Sequence, residues 1–186
     1  MDGYYTRAEL RSIGIKNIGE DVLISKKVSL YNFAELQIGN HVRIDDFCYL
    51  NGKIILGNNI HIAAFTSLIA GDAGIEMHDF SGLSSRVSVY AMSDDYSGNY
   101  MTNPTIPSIY TNVYKKKVEI GRHSIVGVGS VILPGGILAE GTAVGSMSLI
   151  NSETEPWGIY TGIPATRIKE RSRNLLQLEE MYLDQQ

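Results

Sequence analysis

Isoleucine, leucine or valine recurs every six residues along most of the chain. The beat runs Ile18, Ile24 and Leu30, then after a two-residue slip Ile38, Ile44, Leu50, Leu56, Ile62 and Leu68. One extra residue precedes Ile75, after which the beat passes Ser81 as its polar member and reaches Val87. A second block gives Ile120, Val126, Ile132, Leu138, Val144 and Ile150. A helix repeats at about 3.6 residues and a half-buried strand at about 2, so this period predicts a solenoid of short strands and sharp corners. Four residues after the beat sits a smaller side chain, as at Val42, Cys48, Ser124, Ser130, Thr142 and Ser148. Alternating large and small residues lets stacked layers fill an interior without voids. Asp72 and Asp79 break that rule, which predicts a distorted coil around them.

The ends and the interruption complete the organisation. Residues 1–17 read as an N-terminal cap, because Thr6-Arg7-Ala8-Glu9 has capping-box spacing and an open solenoid end would expose apolar interior. Residues 18–164 carry the repeats. Residues 165–186 read as a C-terminal helix with Ile168, Leu175, Leu178 and Tyr182 near one face. The beat stops after Val87 and returns at Val118 and Ile120, leaving a long insertion, 93–117. A loop of that length in a compact domain is functional or disordered. Its tyrosines, prolines and asparagines favour order, and the residues Tyr96, Asn99, Tyr100 and Asn103 suit a sugar acceptor. Counting three beats per coil makes the loop leave at the corner stacked over Asn40-His41, Asn58-Asn59 and Met77-His78. That phase predicts loop, His61 and His78 along one edge, with His78 beneath the acceptor.

Composition narrows the class. The 186 residues are 44% hydrophobic and 19% charged, a globular balance, and the net charge of −4 argues against a nucleic-acid partner. No apolar run approaches the roughly 20 residues of a membrane span, and Met1-Asp2-Gly3-Tyr4-Tyr5 lacks a secretory leader's basic start. A cytoplasmic location is the expectation. Cys48 is the one cysteine, so no internal disulfide forms; its place in the small slot reads as a buried hydrophobe.

The pattern of an aliphatic residue followed by glycine, the run from Ile120-Gly121-Arg122-His123 to Ile132-Leu133-Pro134-Gly135, and the ending Thr161-Gly162-Ile163-Pro164-Ala165 resemble the hexapeptide-repeat acyltransferases. The likeness is to the galactoside, maltose and xenobiotic acetyltransferase group. It implies an all-β solenoid, a left-handed three-sided parallel β-helix, assembled as a homotrimer in which the loop reaches over a neighbouring subunit's site. The implied reaction is acetyl transfer from acetyl-coenzyme A to a hydroxyl or amino group of a sugar or nucleotide-sugar, in surface-polysaccharide biosynthesis. No metal is expected. Carried over, Gly127, Gly129, Gly145, Ser146, Ile163, Pro164 and Ala165 would line the pantetheine arm, and Arg167, Lys169 and Arg171 would meet its phosphates.

Relatives in this group place a histidine at the loop entry, where this chain has Asp94. Three readings of the base follow: Asp94 or its neighbour Asp95, His61 approaching from the solenoid edge, or no strong base for an amine acceptor. His41, His78 and His123 fall at repeat corners, where polar turn residues are ordinary. Two other classes compete, a noncatalytic solenoid scaffold and a zinc hydro-lyase of the gamma carbonic anhydrase type. The latter needs three histidines, usually with a close pair, and the four here offer none.

Overall fold

The computed structural model describes residues 3–185; Met1, Asp2 and Gln186, at the outer ends of the expected cap and C-terminal segment, lie outside the described residues. The chain winds into a left-handed parallel β-helix of about 7 turns. Strand pairing resolves it into three faces. On the first, Leu23–Ile24, Arg43–Ile44, His61–Ile62, Gly82–Leu83, Ile125–Val126, Ala143–Val144 and Gly158–Gly162 stack in order. The second stacks Ser29–Tyr31, the starts of Tyr49–Leu56 and Ser67–Met77, then Ser88–Tyr90, Val131–Ile132 and Leu149–Ile150. The third carries Asn17–Ile18, Gln37–Ile38, the ends of those two long strands, Val118–Ile120 and Ile137–Leu138.

The beat residues form the interior. Ile24, Ile44, Leu50, Ile62, Leu68, Val89, Val126, Ile132 and Leu138 are 0% exposed. Polar members of the small slot are buried too, and each finds a partner, a carbonyl at a coil corner for most and the Thr154 hydroxyl for Thr142 (2.8 Å). Ser124 Oγ donates to Ala139 O at 3.0 Å, Ser130 Oγ to Gly145 O at 3.0 Å, and Thr66 Oγ1 to Ser84 O at 3.1 Å. Satisfied hydroxyls of this kind are tolerated inside a core. Cys48 belongs here as well, with its thiol directed at Ala63 O (3.2 Å) and pushed up to about 11 by burial, so it is an inert filler.

The phase read from the beat needs one correction. Leu56 pairs with Met77, and Ile62 with Leu83, each 21 residues on, where the coil below takes 18 from Ile38 to Leu56. The insertion is therefore three residues, not one, and it sits at Ala70–Gly74. Ile75, Ser81 and Val87 are small-slot residues; the beat members are Met77, Leu83 and Val89. The distortion expected near Asp72 is present as register shifts around Gly52. A Cβ on Gly52 (φ +96) would stand 2.2 Å from Gly71 O, so only glycine permits the coils to meet there.

Both termini are stapled to the solenoid. Helix α1 (Arg7–Ser12) begins at the expected capping box, with Thr6 and Glu9 bonded reciprocally, and buries Leu10. The C-terminal segment differs from expectation. Ala165–Glu170 is a strand, antiparallel to Gly158–Gly162, and helix α2 spans only Leu175–Leu183. The last face would otherwise end on an unpaired strand edge, which this hairpin covers. Helix α2 then lies back over the corner of the first face, held by Glu179 against His123 (2.8 Å) and Arg122, and by Tyr182 Oη donating to Asn59 (3.1 Å).

Candidate active site

One column of outward side chains on the second face organises the site. Register places Asn51 beside Ile69 and Ile69 beside Tyr90. Val89 pairs with Ile132 and Leu133 N donates to Ile150 O, so the column continues through Leu133 to Asn151. At about 4.8 Å per strand, four steps span roughly 19 Å. The inserted loop leaves after Ser88–Tyr90 and runs beside this column. Two clefts lie between loop and column, of about 770 Å³ (Asn51, Ile69, Tyr90, Leu133) and about 550 Å³ (Leu133, Pro134, Asn151, Tyr114). Ser93, Asp94, Tyr96 and Leu133 line both, so Asp94 marks the junction between them.

The loop leaves from a different corner than the phase predicted. Its first segment, Met92–Ser93, pairs antiparallel with Tyr114–Lys115, and Ala91 N donates to Ile69 O. The exit is thus stacked on Asn51–Gly52 and Ala70–Gly71, between the second and third faces. The three-residue insertion is the cause. His61 and His78 consequently do not line the loop clefts within one chain. His61 is on the first face, bonded through Nε2 to Asp45 (2.8 Å). Burial pushes the Asp45 carboxyl up, but the bonds from His61 and Arg43 outweigh it and hold it below the usual range. His78 stands 4.0 Å from Glu76.

The loop is ordered by its own bonds. Asp95 accepts from Ser97 N (2.7 Å) and Asn112 Nδ2 (2.9 Å). Bonding to Ser97, side chain then backbone, and to Asn112 holds its carboxyl below the usual carboxylate range. Asp95 is lowered rather than raised, and is a clamp rather than a free base. Asp94 keeps one long contact to its carboxylate, from Asn103 N at 3.3 Å, and is half-buried and lines both clefts. Among the loop tyrosines and asparagines, Tyr96 and Asn103 line the larger cleft, whereas Asn99 and Tyr100 sit on the exposed tip. Asn103 also closes a turn through Oδ1 to Thr105 (2.6 Å to Oγ1). The lysine cluster anchors the loop's return: Lys115 pairs with Asp72 (2.9 Å) and Lys117 with Glu76 (2.6 Å) and Glu119 (2.8 Å).

Residues expected to hold the donor divide by their engagement. A Cβ on Gly127 would meet Ser146 N at 2.5 Å and one on Gly145 would meet Thr161 at 3.0 Å, so both serve close coil stacking. Gly129 (φ +71) turns its corner beside Met147. Ile163 and Pro164 form the exposed hairpin turn, with Ile163 74% exposed, and Ala165 begins the returning strand, partly buried against the core. Arg167 is bound to Glu155 (3.2 Å) and Glu170, while Lys169 has no ion pair among the described residues. Arg171 turns inward and donates to His123 O (2.7 Å) and Gly141 O (3.0 Å), which takes it away from any phosphate. His123 is a structural residue: it is buried, stacked on Phe80 (5.3 Å between rings) and clasped by Glu179.

A third cleft, about 820 Å³, lies between the first face and α2 and contains His61 and Ser84. Ser84, Asn51, Met92, Tyr90, Leu133 and Asn151 were not singled out from the sequence. The correct phase would have aligned the column residues; nothing in a single sequence marks Ser84. Among the described residues, no three His, Cys, Asp or Glu side chains are grouped to hold a metal ion, and no helix is long and apolar enough to cross a membrane.

No family model matches the chain. It is 44% identical over 182 residues to the dTDP-4-amino-4,6-dideoxy-D-glucose acyltransferase of Escherichia coli, covering 96% of this chain and 94% of that one. Its backbone matches the crystal structure of the S84A mutant of AntD, an N-acyltransferase from Bacillus cereus in complex with dTDP-4-amino-4,6-dideoxyglucose and coenzyme A. That match has a TM-score of 0.97 at 47% identity over 100% of both chains. AntD in complex with dTDP and 3-hydroxybutyryl-CoA matches with a TM-score of 0.96 at 48% identity, over 100% of this chain and 98% of that one. A maltose O-acetyltransferase from Clostridium difficile, 16% identical over 90% of this chain and 77% of that one with a TM-score of 0.50, shares the fold. With this solenoid, this loop and relatives matched end to end, the chain belongs to the hexapeptide-repeat acyltransferases.

Proposed function

We propose that this acyltransferase moves an acetyl group from acetyl-coenzyme A to the 4-amino group of a nucleotide-linked 4-amino-4,6-dideoxyhexose, the dTDP-linked sugar being the first candidate. The observation that carries the reading is the pair Ser84 and Asp94. AntD has been crystallised as S84A and D94A mutants with coenzyme A, and this chain has serine and aspartate at the same numbers.

In this reading the acceptor nitrogen attacks the thioester carbonyl carbon, the carbon–sulfur bond breaks, and coenzyme A leaves as the thiol. The nitrogen must shed a proton as it attacks, and Asp94, half-exposed with one long hydrogen bond, is placed to take it. Donor and acceptor would approach from the two clefts that meet at Asp94. Within one chain Ser84 lines a different cleft, which supports a homotrimer that brings one copy's Ser84 and His61 to its neighbour's Asp94. Tyr96 and Asn103 would contact the sugar. Lys169, without an ion pair among the described residues, would meet donor phosphates, and Gly127, Gly129, Gly145, Ser146, Ile163, Pro164 and Ala165 would border the pantetheine arm. A role in surface-polysaccharide assembly and a cytoplasmic location fit a nucleotide-sugar acceptor.

A thiol-release assay tests the reading. Acetyl-coenzyme A is offered with dTDP-4-amino-4,6-dideoxyglucose, with other nucleotide-linked amino sugars and with free amino sugars. Release confined to the dideoxy nucleotide-sugar is expected. Release with free sugars alone, or with none of them, overturns it.

A further inference from the structure

The larger loop cleft has an uneven chemistry. Of its lining residues Asp94 alone carries a charge, and no Lys, Arg or His side chain borders it. Part of the wall is apolar: Ile69 and Leu133 from the column, Met92 from the loop's first strand, and Ile106 and Val113 from the rest of the loop. Met92 and Asp94 are two residues apart at the loop entry, and both line this cleft. Ser93, between them, spends its hydroxyl on Asp94 O (3.2 Å). Ile69, Met92 and Leu133 themselves offer no hydrogen-bond partner to a hydroxyl placed against them, although Asn51, Tyr90, Tyr96, Asn103, Ser108 and Thr111 line the same cleft.

In a 4-amino-4,6-dideoxyhexose the methyl carbon is attached to the ring carbon next to the one bearing the amine. An amine held at Asp94 therefore places that methyl within van der Waals reach of the carboxylate's neighbours. In the sugar that keeps its primary alcohol, the extra hydroxyl would enter the same space and lose its water. We propose, resting on the acceptor reading above, that Ile69, Met92 and Leu133 form a methyl seat that makes the enzyme selective for 6-deoxy amino sugars. An apolar pocket rejects an added hydroxyl only modestly, by roughly 10²-fold, so the selectivity is finite and measurable.

The test compares kcat/KM for dTDP-4-amino-4,6-dideoxyglucose and for dTDP-4-amino-4-deoxyglucose, which keeps the primary alcohol. Wild type is expected to prefer the first by roughly 10²-fold. Met92→Gln and Leu133→Asn place an amide in the seat, and neither position is in the buried core. Each is expected to narrow the preference at least tenfold, with KM for acetyl-coenzyme A unchanged. Equal use of both sugars by wild type, or an unchanged ratio in both variants, overturns the methyl seat and leaves the acceptor class standing. Failure of wild type to use either sugar removes the acceptor reading and the seat together.

Discussion

Replacing Asp94 with Asn separates chemistry from structure at the loop entry. The carboxylate accepts one backbone hydrogen bond, from Asn103 N at 3.3 Å, and an amide oxygen of the same shape can still accept it. The cost to stability should therefore stay within about 0.5 kcal/mol, the usual scale for a surface change. The catalytic cost is larger. A positioned general base contributes typically 10²–10⁴-fold, about 2.7–5.4 kcal/mol of barrier at about 1.36 kcal/mol per decade. Asp95→Asn is the control, because its carboxylate is already engaged by Ser97 and Asn112 in ordering the loop and lines neither loop cleft. The expected result is a kcat loss of about 10² or more for Asp94→Asn with an unshifted melting curve. Asp95→Asn should retain most of its kcat while making the loop easier to cleave. Steady-state thiol release and limited proteolysis read both. A rate for Asp94→Asn within about threefold of wild type would refute the base assignment. It would leave an acceptor amine already neutral, or His61 from a neighbouring copy.

Further outcomes follow from the packing and the charges. Val126, 0% exposed inside the first face, should not tolerate Asp: an unpaired buried charge should abolish folding of the solenoid, and a folded, inactive Val126→Asp protein would contradict its inward position. Leu83→Ala should cost roughly 2–5 kcal/mol by opening a core cavity. Ser81→Ala should cost only the hydrogen bond to His78 O (2.6 Å), about 1 kcal/mol; thermal melts showing the reverse order would restore the other phase. Glu179→Ala removes the partner of buried His123 and of Arg122. It should lower stability by roughly 3 kcal/mol and raise amide exchange across α2, and unchanged exchange there would refute the clasp. The Asp95 clamp carries a pH signature: its folded carboxyl is depressed, so its contribution is complete above the unfolded value of about 3.9 and is lost as pH falls through the folded one. Loop cleavage by an acid-active protease should rise only below that range, and a rise near pH 6 would point to another group.

The solenoid was legible because its interior imposes a rule at every turn: a large apolar residue, then four positions on a small one. Ile24, Ile44, Ile62 and Val126 obey it without exception. The phase failed at one place, Ala70–Gly74, where the extra residues are small and carry no hydrophobic marker. Two aliphatic series, Ile75–Ser81–Val87 and Met77–Leu83–Val89, then satisfied the spacing about equally, and the beat followed the wrong one. The second series is the buried beat because Leu83 and Val89 pair directly with Ile62 and Leu68. The C-terminal helix was misread for a related reason. Ala165–Glu170 has no strong alternation, and its strand exists because Gly158–Gly162 offers an unpaired edge, a tertiary cause that local sequence does not carry.

The same three-residue insertion sets which corner of the solenoid carries the loop. A shift of the loop exit by one corner moves its entry from the His41 and Asn59 corner to the Asn51 and Gly71 corner, and with it the face that the loop overhangs. Asp94 itself was identified because it departs from the family's histidine, which is a statement about chain position and survives any error in coil counting. Its surroundings did not survive, because they come from other coils: Ile69 lies one coil before Tyr90 and Leu133 one coil after. In a solenoid each coil contacts only its neighbours, so a site built on an outer face draws one residue from each of several turns. Its composition is readable only when every insertion between those turns has been counted. The residues proposed to hold the reaction, Asp94 and Ser84, are therefore the ones that comparison finds easily. The residues that would choose the acceptor, Ile69, Met92 and Leu133, emerge only from strand register.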